Sequence, residues 1–339
     1  MNSFGRIFRI TLFGESHSTA IGVVIDGVPA GTELSENDFE ADLGRRRSGA
    51  KGTTTRIEKD KPEIITGLHN GHTTGSPLVI MFANRNTNSN DYENLKLHPR
   101  PSHADRTAAV KYCGYNNPSG GGMFSGRLTV GLVAAGVVAK KILKGIEFET
   151  SITEIGGKQN PDEIDRLLDE CRSTGDSVGG RVQITVHGIE TGLGEPFFDT
   201  TESLIAHLML AIPGVKGIEF GAGFEAARRR GSLNNDLLLD RNGTTATNND
   251  GGINGGITNG NAITIGVAFK PTPSIGRSQN TYNTEYGTVM PLTITGRHDC
   301  CIALRGAVVA EAAAAIVLAD LKLLHETYSA DTNPLAQTT

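Results

Sequence analysis

Two histidines stand in short motifs that suit proton transfer near neutral pH. His17 ends the run 14–17 (Gly-Glu-Ser-His), which follows a predicted strand, and His103 lies in the run 100–105 (Arg-Pro-Ser-His-Ala-Asp). An imidazole changes its charge close to physiological pH, so a histidine where a strand meets a loop can act as a general acid. Asp105 could orient His103. A surface histidine without a chemical role is the alternative at His17.

A second group of residues could bind an anion. Arg45, Arg46 and Arg47 end a predicted helix, and the run 120–127 (Gly-Gly-Gly-Met-Phe-Ser-Gly-Arg) leads into another helix near Leu128. A helix start presents unpaired N–H groups, and glycine lets a phosphate approach that backbone. Arginine holds a carboxylate or a phosphate through two hydrogen bonds. We therefore predict a local anion site. For the three arginines, a run of charges exposed to solvent is the alternative. A Walker-type nucleotide loop is excluded, because no Gly-Lys-Ser/Thr follows the glycines.

Composition narrows the class of protein. The chain has 339 residues, with 32 lysines and arginines against 37 aspartates and glutamates, so its formal net charge is −5. It lacks the overall basic footprint of a nucleic-acid-binding protein. Glycine is the outlier at 43 residues, and since ordered glycine costs conformational entropy we expect it in tight turns or close to ligands. The four cysteines show no C-x-x-C spacing, which favours reduced thiols over a metal or redox site.

Charge also bears on where the protein works. The run 1–9 carries arginines where an export signal needs an apolar stretch, so we expect no export signal and a cytoplasmic protein. The apolar stretches 128–143 and 307–324 are interrupted by Lys140 and Lys141 and by Glu311 and Asp320. We therefore expect buried helices there and no membrane span.

The elements that must position these residues are short strands and two long helices. Runs rich in β-branched residues and bounded by glycine predict strands at 7–13, 21–25, 78–82, 181–186, 262–268 and 292–294. Ser35 and Asn160 begin predicted helices. Helices at about 128–144 and 306–326 carry small residues on most faces and are expected at the centre of the molecule. The run 21–31 resembles the run 182–192, which suggests an internal duplication within a single domain over 1–339; a chance similarity is the alternative. The run 242–261 is rich in glycine, asparagine and threonine, and it is either a flexible loop or an ordered loop that faces a ligand.

Taken together, the motifs resemble the chorismate synthase family over almost the whole chain. The similarity includes Phe-Gly-Glu-Ser-His at 13–17, Arg-Pro-Ser-His-Ala-Asp at 100–105 and Gly-Arg-His-Asp at 296–299. The other landmarks follow in family order at 26–31, 45–49, 120–122, 125–127, 176–180, 192–196, 215–221 and 270–272. Each motif is weak alone, but their number and order are highly specific.

The resemblance implies an enzyme of the shikimate pathway, which leads to the aromatic amino acids. The family is a phosphate lyase that converts 5-enolpyruvylshikimate 3-phosphate to chorismate by a 1,4-anti-elimination. It needs reduced FMN although no net oxidation occurs. The implied fold is α+β, a β-α-β sandwich with central helices between two antiparallel sheets, and the implied assembly is a homotetramer. The chain would take reduced FMN from an external reductant, because no further domain is recognisable.

The resemblance also assigns roles to single residues. His17 matches the histidine that protonates the departing phosphate, and His103 matches the one beside the flavin. Asp299 matches an aspartate near flavin N5, with Ser16 and Ser125 completing hydrogen bonds around it. Arg46 and Arg127 match cations that face the substrate. The FMN-contacting positions carry over to Met123, Phe124, Ser125, Gly214, Val215, Gly256, Lys270, Pro271, Thr272, Pro273, Ser274 and Arg297; no metal site is expected.

Several positions depart from the family pattern. Ser119 and Met123 replace two arginines that flank the three glycines, Ser102 replaces a glycine, Cys300 replaces a proline, and an arginine is missing near Gly52. Each lost arginine removes a charge-assisted contact worth about 1.5–3 kcal/mol. A weakened or non-catalytic relative that binds FMN or a phosphorylated acid is therefore the alternative function. A flavoenzyme using NADPH on its own substrate is disfavoured, since the chain lacks a Gly-x-Gly-x-x-Gly fingerprint for a dinucleotide.

Overall fold

The computed structural model describes residues 2–54, 59–84, 95, 97–294, 296 and 298–329. One antiparallel sheet has the strand order β1-β2-β3-β7-β4. Its strands are β1 (Ser3–Phe4), β2 (Arg9–Gly14), β3 (Ala20–Asp26), β4 (Glu63–Thr66) and β7 (Leu78–Ala83). Two short strands, β5 (Leu68–His69) and β6 (His72–Thr73), form a hairpin between β4 and β7.

The second antiparallel sheet has the order β10-β13-β9-β8. Its strands are β8 (Glu147–Ile155), β9 (Gly180–His187), β10 (Val215–Phe220) and β13 (Ile263–Phe269). Two further hairpins are formed by β11 (Ile253–Asn254) with β12 (Ile257–Thr258), and by β14 (Gln279–Asn283) with β15 (Thr288–Leu292).

The helices are α1 (Glu40–Arg46), α2 (Asp105–Lys111), α3 (Thr129–Ile142), α4 (Pro161–Thr174), α5 (Thr201–Ala211), α6 (Gly231–Asn234) and α7 (Ala303–Ser329). The long helices α3 and α7 pack on each other; α3 contacts the first sheet, and α7 contacts the second. A side chain at Gly136 of α3 would overlap Ala312 of α7, so small residues let the two helices approach closely. This arrangement confirms the predicted α+β sandwich with central helices between two antiparallel sheets.

Sequence patterns predicted most of the elements that build the core. Strands β2, β3, β7, β9 and β13 lie where β-branched runs predicted them, to within a few residues. Asn160 caps α4 by accepting hydrogen bonds from the N–H groups of Asp162 (2.9 Å) and Glu163 (3.3 Å). Of the strand predicted at 292–294, only Leu292 belongs to a strand, as the last residue of β15.

Elements with weak sequence patterns were missed. Strand β8 (Glu-Phe-Glu-Thr-Ser-Ile-Thr-Glu-Ile) was not predicted, because it contains three glutamates and few strongly apolar residues. Strands β10 and β14 and helix α5 were not predicted either. The glycine-rich run 242–261 is an ordered segment that contains the β11–β12 hairpin, in which Ile253 and Thr258 are buried. The echo between 21–31 and 182–192 falls on β3 and β9 with the turns after them, and the internal duplication stays a prediction.

Candidate active site

A cavity of about 700 Å³ lies where α3 and α7 begin. The loop before α2, the turn between α5 and β10, and the segment after β13 complete its wall. Among the residues predicted for the site, those that line it are Ser16, Arg46, His103, Met123, Phe124, Ser125, Arg127, Gly214, Val215, Lys270, Thr272, Pro273, Ser274 and Asp299. Tertiary structure therefore gathers most of the predicted site from seven separate stretches of the chain.

The three consecutive glycines separate the two histidine loops. Gly120, Gly121 and Gly122 have φ values of +62°, +84° and +53°, a left-handed backbone that favours glycine. A Cβ at Gly120 would lie 2.5 Å from His17 Nε2, and one at Gly121 would lie 3.3 Å from His103 Cε1. The glycines thus let both imidazole rings approach the same stretch of backbone. His17 itself is half-buried and is not among the lining residues, whereas its neighbours Ser16 and Gly120 are.

His103 is held by a charged network behind the cavity wall. Its Nδ1 lies 2.6 Å from Asp105 Oδ1 and 3.0 Å from Arg100 Nη2. Arg100 also donates to both Asp105 oxygens, at 2.8 and 2.6 Å, and to Ser274 Oγ at 3.0 Å. Burial opposes ionisation of Asp105, but hydrogen bonds from Arg100 and His103 outweigh it and hold the pKa of that carboxyl far below its usual range. A permanent carboxylate therefore orients the imidazole, as predicted for Asp105.

Two arginines at the start of α3 share one buried carboxylate. Asp60 accepts a hydrogen bond from Arg46 at 2.8 Å and pairs with Arg127 through its other oxygen. Burial and the nearby charge of Arg305 lower the pKa of Arg46 to about 9, which leaves it cationic at neutral pH. Asp60 was not predicted as a site residue, because a single aspartate between Lys59 and Lys61 belongs to no recognisable motif.

Asp299 enters the cavity from the segment before α7. Its Oδ1 accepts the Thr54 N–H at 2.8 Å, and its Oδ2 pairs with Arg305 Nη1 at 3.1 Å. Arg305 also donates to the main-chain carbonyl of Arg46 at 2.8 Å and lines the cavity. Sequence reasoning missed Arg305 and Thr54, which belong to no motif. The carboxylate therefore lies beside the cavity and pairs with a cation of the site.

The part of the wall before β10 and after β13 combines a cation with tight backbone. Lys270 Nζ donates to the carbonyl of Ser102 at 2.8 Å, and burial together with the nearby Lys216 lowers the pKa of Lys270. Gly214 has a φ of +94°, and a Cβ there would overlap Ile302. The buried hydroxyl of Thr272 has no hydrogen-bond partner within the described part of the chain. This wall can accept an anionic ligand and a further hydrogen bond.

Besides His17, two further predicted positions are not among the residues that line the cavity, and one is not described. Gly256 lies in the β11–β12 hairpin. A Cβ at Gly256 would lie 2.7 Å from Thr200 Cβ, and the Gly256 carbonyl accepts a hydrogen bond from the Thr201 N–H at 2.8 Å. Pro271 is exposed and is not among the lining residues. Arg297 lies outside the described residues.

The structure bears on two of the departures from the family pattern. Ser102 has a φ of +57°, a left-handed conformation in which the family's glycine is the easier residue. Gly52 has a φ of +84°, and a Cβ there would lie within 3.0 Å of Leu304 and Leu168, so a larger residue at that position would displace these two leucines. Nothing in the structure explains Ser119, Met123 or Cys300.

No group of three or more histidines, cysteines, aspartates or glutamates among the described residues could hold a metal ion. Within the same ranges, every helix is too short or too polar to cross a membrane.

Comparison with known proteins shows similarity along nearly the full length. The family model described as chorismate synthase matches residues 8–323. A chorismate synthase of Chitinophaga pinensis is 54% identical over 327 residues, covering 96% of this chain and 98% of that protein. One from Dehalococcoides mccartyi is 45% identical, covering 95% and 96%. A crystal structure of chorismate synthase superposes with a TM-score of 0.74 at 28% identity, covering 95% of this chain and 93% of the other.

Proposed function

The chain belongs to the chorismate synthase family, a family of carbon–oxygen lyases, and we propose on this basis that its cavity converts 5-enolpyruvylshikimate 3-phosphate to chorismate and phosphate. In this 1,4-anti-elimination the C–O bond to the phosphate breaks, a proton leaves C6 and a new carbon–carbon double bond forms. The observation that carries the proposal is the convergence of His103, the His17 loop and Asp299 on one cationic cavity.

The cavity residues fit reduced FMN as the cofactor. The Thr272 hydroxyl, which has no hydrogen-bond partner among the described residues, can bond to a ligand, and a side chain in place of Gly214 would crowd the adjacent wall. Lys270 supplies a cation beside them. The volume of about 700 Å³ lies within the range of about 300–1,000 Å³ usual for ligand sites. Reduced FMN, when bound, supplies the electron-rich ring that the reaction needs without net redox change.

The substrate carries two carboxylates and a phosphate, and the cavity offers cations to match. Arg127 and Arg305 line it at the start of α3 and α7, and Lys216 of β10 and Lys270 after β13 line it as well. In a protein of net charge −5, these cations concentrate positive potential where an anionic substrate must bind. Partly buried arginines also fit carboxylates and phosphates through paired hydrogen bonds.

Each chemical role falls to a side chain of the site. The Asp105 carboxylate lies against His103 Nδ1 and leaves Nε2 for the ligand side, where the imidazole stabilises negative charge. His17, packed against Gly120, protonates the departing phosphate. Asp299 relays the proton that leaves C6, and its bonds to Thr54 and Arg305 fix its orientation. Ser16 and Ser125 complete the hydrogen bonds around this centre.

The remaining features of the proposal concern assembly and location. We expect a cytoplasmic homotetramer that obtains reduced FMN from an external reductant, whether NADPH-linked or not. Consecutive leucines Leu237, Leu238 and Leu239 are 65–73% exposed, and Phe197 and Phe198 are 84% and 90% exposed. Apolar side chains in such numbers on a surface are typical of contacts between subunits.

An anaerobic assay tests the proposed function. The protein is mixed with dithionite-reduced FMN and 5-enolpyruvylshikimate 3-phosphate, and chorismate and inorganic phosphate are measured together. We expect equal amounts of both products, and none with oxidised FMN. Binding of FMN and substrate without any product would favour the alternative of a non-catalytic relative, for which Ser119 and Met123 in place of two arginines are the supporting observation.

A further inference from the structure

Asp60 is buried between the two arginines that were predicted to face the substrate. Its side chain is fully buried, and each of its carboxylate oxygens pairs with a different guanidinium. Its φ of +42° is a left-handed conformation, which aspartate tolerates better than most residues. A buried carboxylate with two cationic partners and a rare backbone conformation marks a position with demanding geometry.

The bonds of Arg46 show that it belongs to the frame of the site. It donates from Nη1 to Asp60 at 2.8 Å and from Nε to Thr129 Oγ1 at 3.1 Å. Its Nη2 donates to the carbonyls of Gly126 and Arg127 at 3.1 and 3.2 Å. These four bonds occupy four of the five N–H groups of a guanidinium. Most N–H groups of Arg46 therefore bind the first turn of α3 and the Asp60 carboxylate instead of pointing to a ligand in the cavity.

Arg127 lines the cavity and is held from two sides. Asp60 pairs with Nη1, and Asn84 Oδ1 accepts a hydrogen bond from Nε at 3.2 Å. The side chain is 8% exposed, so little freedom remains for the guanidinium. A long flexible side chain held in one geometry binds a ligand with a smaller loss of entropy.

We propose that Asp60 is a positioning residue, which fixes Arg127 at the cavity wall for the anionic groups of 5-enolpyruvylshikimate 3-phosphate. This inference rests on the proposed function. Asp60 acts through Arg127 and does not itself touch the substrate. It also lets two arginines stand side by side at the start of α3, with one net positive charge instead of two.

A purely electrostatic role predicts the opposite sign of effect. If Asp60 only reduced the positive charge of the cluster, its removal would strengthen the binding of an anion. If it positions Arg127, its removal weakens that binding although the cavity becomes more positive. The direction of the change in substrate affinity therefore separates the two roles.

The test compares Asp60→Asn with a matched control, Asp42→Asn. Asp42 also bridges two cations, Arg45 at 3.2 Å and Lys140 at 2.6 Å, but it lies outside the cavity. Binding of 5-enolpyruvylshikimate 3-phosphate is measured by calorimetry on protein loaded with oxidised FMN, where no turnover is expected. The FMN dissociation constant and the melting temperature are measured on the same samples, and kcat and KM are measured with reduced FMN.

For Asp60→Asn we expect substrate binding weaker by about tenfold or more, which corresponds to ~1.4 kcal/mol, with FMN affinity unchanged and KM raised more than kcat is lowered. Asp42→Asn should bind as wild type does. Asp60→Glu keeps the charge and moves the carboxylate by one methylene, so this variant should also weaken substrate binding. If Asp60→Asn does not fold, Asp60→Glu is the variant that tests the inference. Unchanged or tighter binding in a folded Asp60 variant would overturn this inference alone. A wild-type protein that binds no substrate would overturn the proposed function and, with it, this inference.

Discussion

At the scale of single residues, the charged groups of the site are paired with partners from distant parts of the chain. Asp299 bonds to Thr54, 245 positions away, and pairs with Arg305. Asp60 bonds to Arg127, 67 positions away. A substitution at such a residue removes its own chemistry and also releases its partner, so the most informative variants keep the shape of the side chain.

Replacing Asp299 by asparagine separates its chemistry from its shape. The amide oxygen can still accept the Thr54 N–H, whereas the ability to relay a proton is lost, so we expect turnover to fall by about 10²–10⁴-fold. FMN and substrate binding should stay nearly unchanged. Single-turnover rates and the FMN dissociation constant are measured on the same variant. The control is Asp176→Asn, which breaks an ion pair with Arg277 outside the cavity lining and should leave the rate unaltered. A normal single-turnover rate for Asp299→Asn would contradict the catalytic assignment.

The thiols offer a second test at this scale. Cys113 is exposed, whereas Cys171, Cys300 and Cys301 are buried, and all four are free. Burial raises the pKa of Cys301 to about 11 and also raises that of Cys171. Because the thiolate is the reactive form, Ellman's reagent should titrate Cys113 rapidly and the other three only after unfolding. Cys113→Ser should remove the fast phase, and a second fast thiol in the native protein would contradict the described burial.

At the scale of elements, the turn that precedes α3 organises the site. Its left-handed glycines 120–122 pass between the His17 and His103 loops. Ser125 then accepts the Arg127 N–H at 3.3 Å and begins the short turn that leads into α3. The eight residues 120–127 therefore lie against both histidine loops and place Arg127 at the helix start, which is also where a backbone can bind an anion.

Gly120→Ala tests this arrangement against a matched glycine. The new Cβ would lie 2.5 Å from His17 and 2.7 Å from Ser16 Oγ, at a φ of +62°. We expect turnover to fall at least tenfold and the protein to lose about 1–2 kcal/mol from the left-handed backbone. Gly114→Ala has a similar φ of +80° with nothing within 4 Å, so it should show the loss of stability but keep the activity. Equal activity of the two variants would show that contact between Gly120 and His17 is unimportant.

At the scale of the whole molecule, ion pairs and close packing join the halves of the sandwich. Asp320 on α7 accepts the N–H groups of Arg6, Ile7 and Phe8 at 2.8–2.9 Å, which ties the start of the chain to the last helix. Glu311 on the same helix pairs with Arg45 of α1 and Lys140 of α3. The helices that begin at the cavity are therefore also joined by ion pairs of residues that do not line it.

Glu311 should make stability depend on pH. Burial would raise its pKa, but the hydrogen bond from Arg45 and the charge of Lys140 outweigh burial and lower the pKa to about 2 from an ordinary value near 4.5. The stabilisation, on the order of 3 kcal/mol, is present above pH 4.5 and is lost as the pH falls from 4.5 towards 2. Urea unfolding across this range should show a smaller acid dependence in Glu311→Gln than in wild type. Glu225→Gln, at an exposed pair with Arg228, should match wild type. An equally steep dependence in Glu311→Gln would refute the assignment.

Local patterns in the sequence predicted the parts of the fold that repeat a simple period. β-Branched runs bounded by glycine predicted five core strands, and long stretches of small apolar residues predicted α3 and α7 at the centre of the molecule; their position between two sheets was implied only by the family resemblance. Local order along the chain also identified the motifs of the site, since the glycines, the arginines and both histidines stand in recognisable runs. Strand β8 escaped prediction because its charged residues alternate with few strongly apolar ones, and burial on one face decides its conformation.

Long-range packing settles which of these residues meet and how each is held. It sets Asp60 between Arg46 and Arg127, places Arg305 beside Asp299, and puts Gly256 in the β11–β12 hairpin, outside the cavity lining. No local pattern encodes such contacts, because a side chain on a loop points where long-range packing directs it. A carboxylate buried between two arginines is stable only where the surrounding helices and loops exclude water and hold all three groups in place, and that condition belongs to the folded molecule.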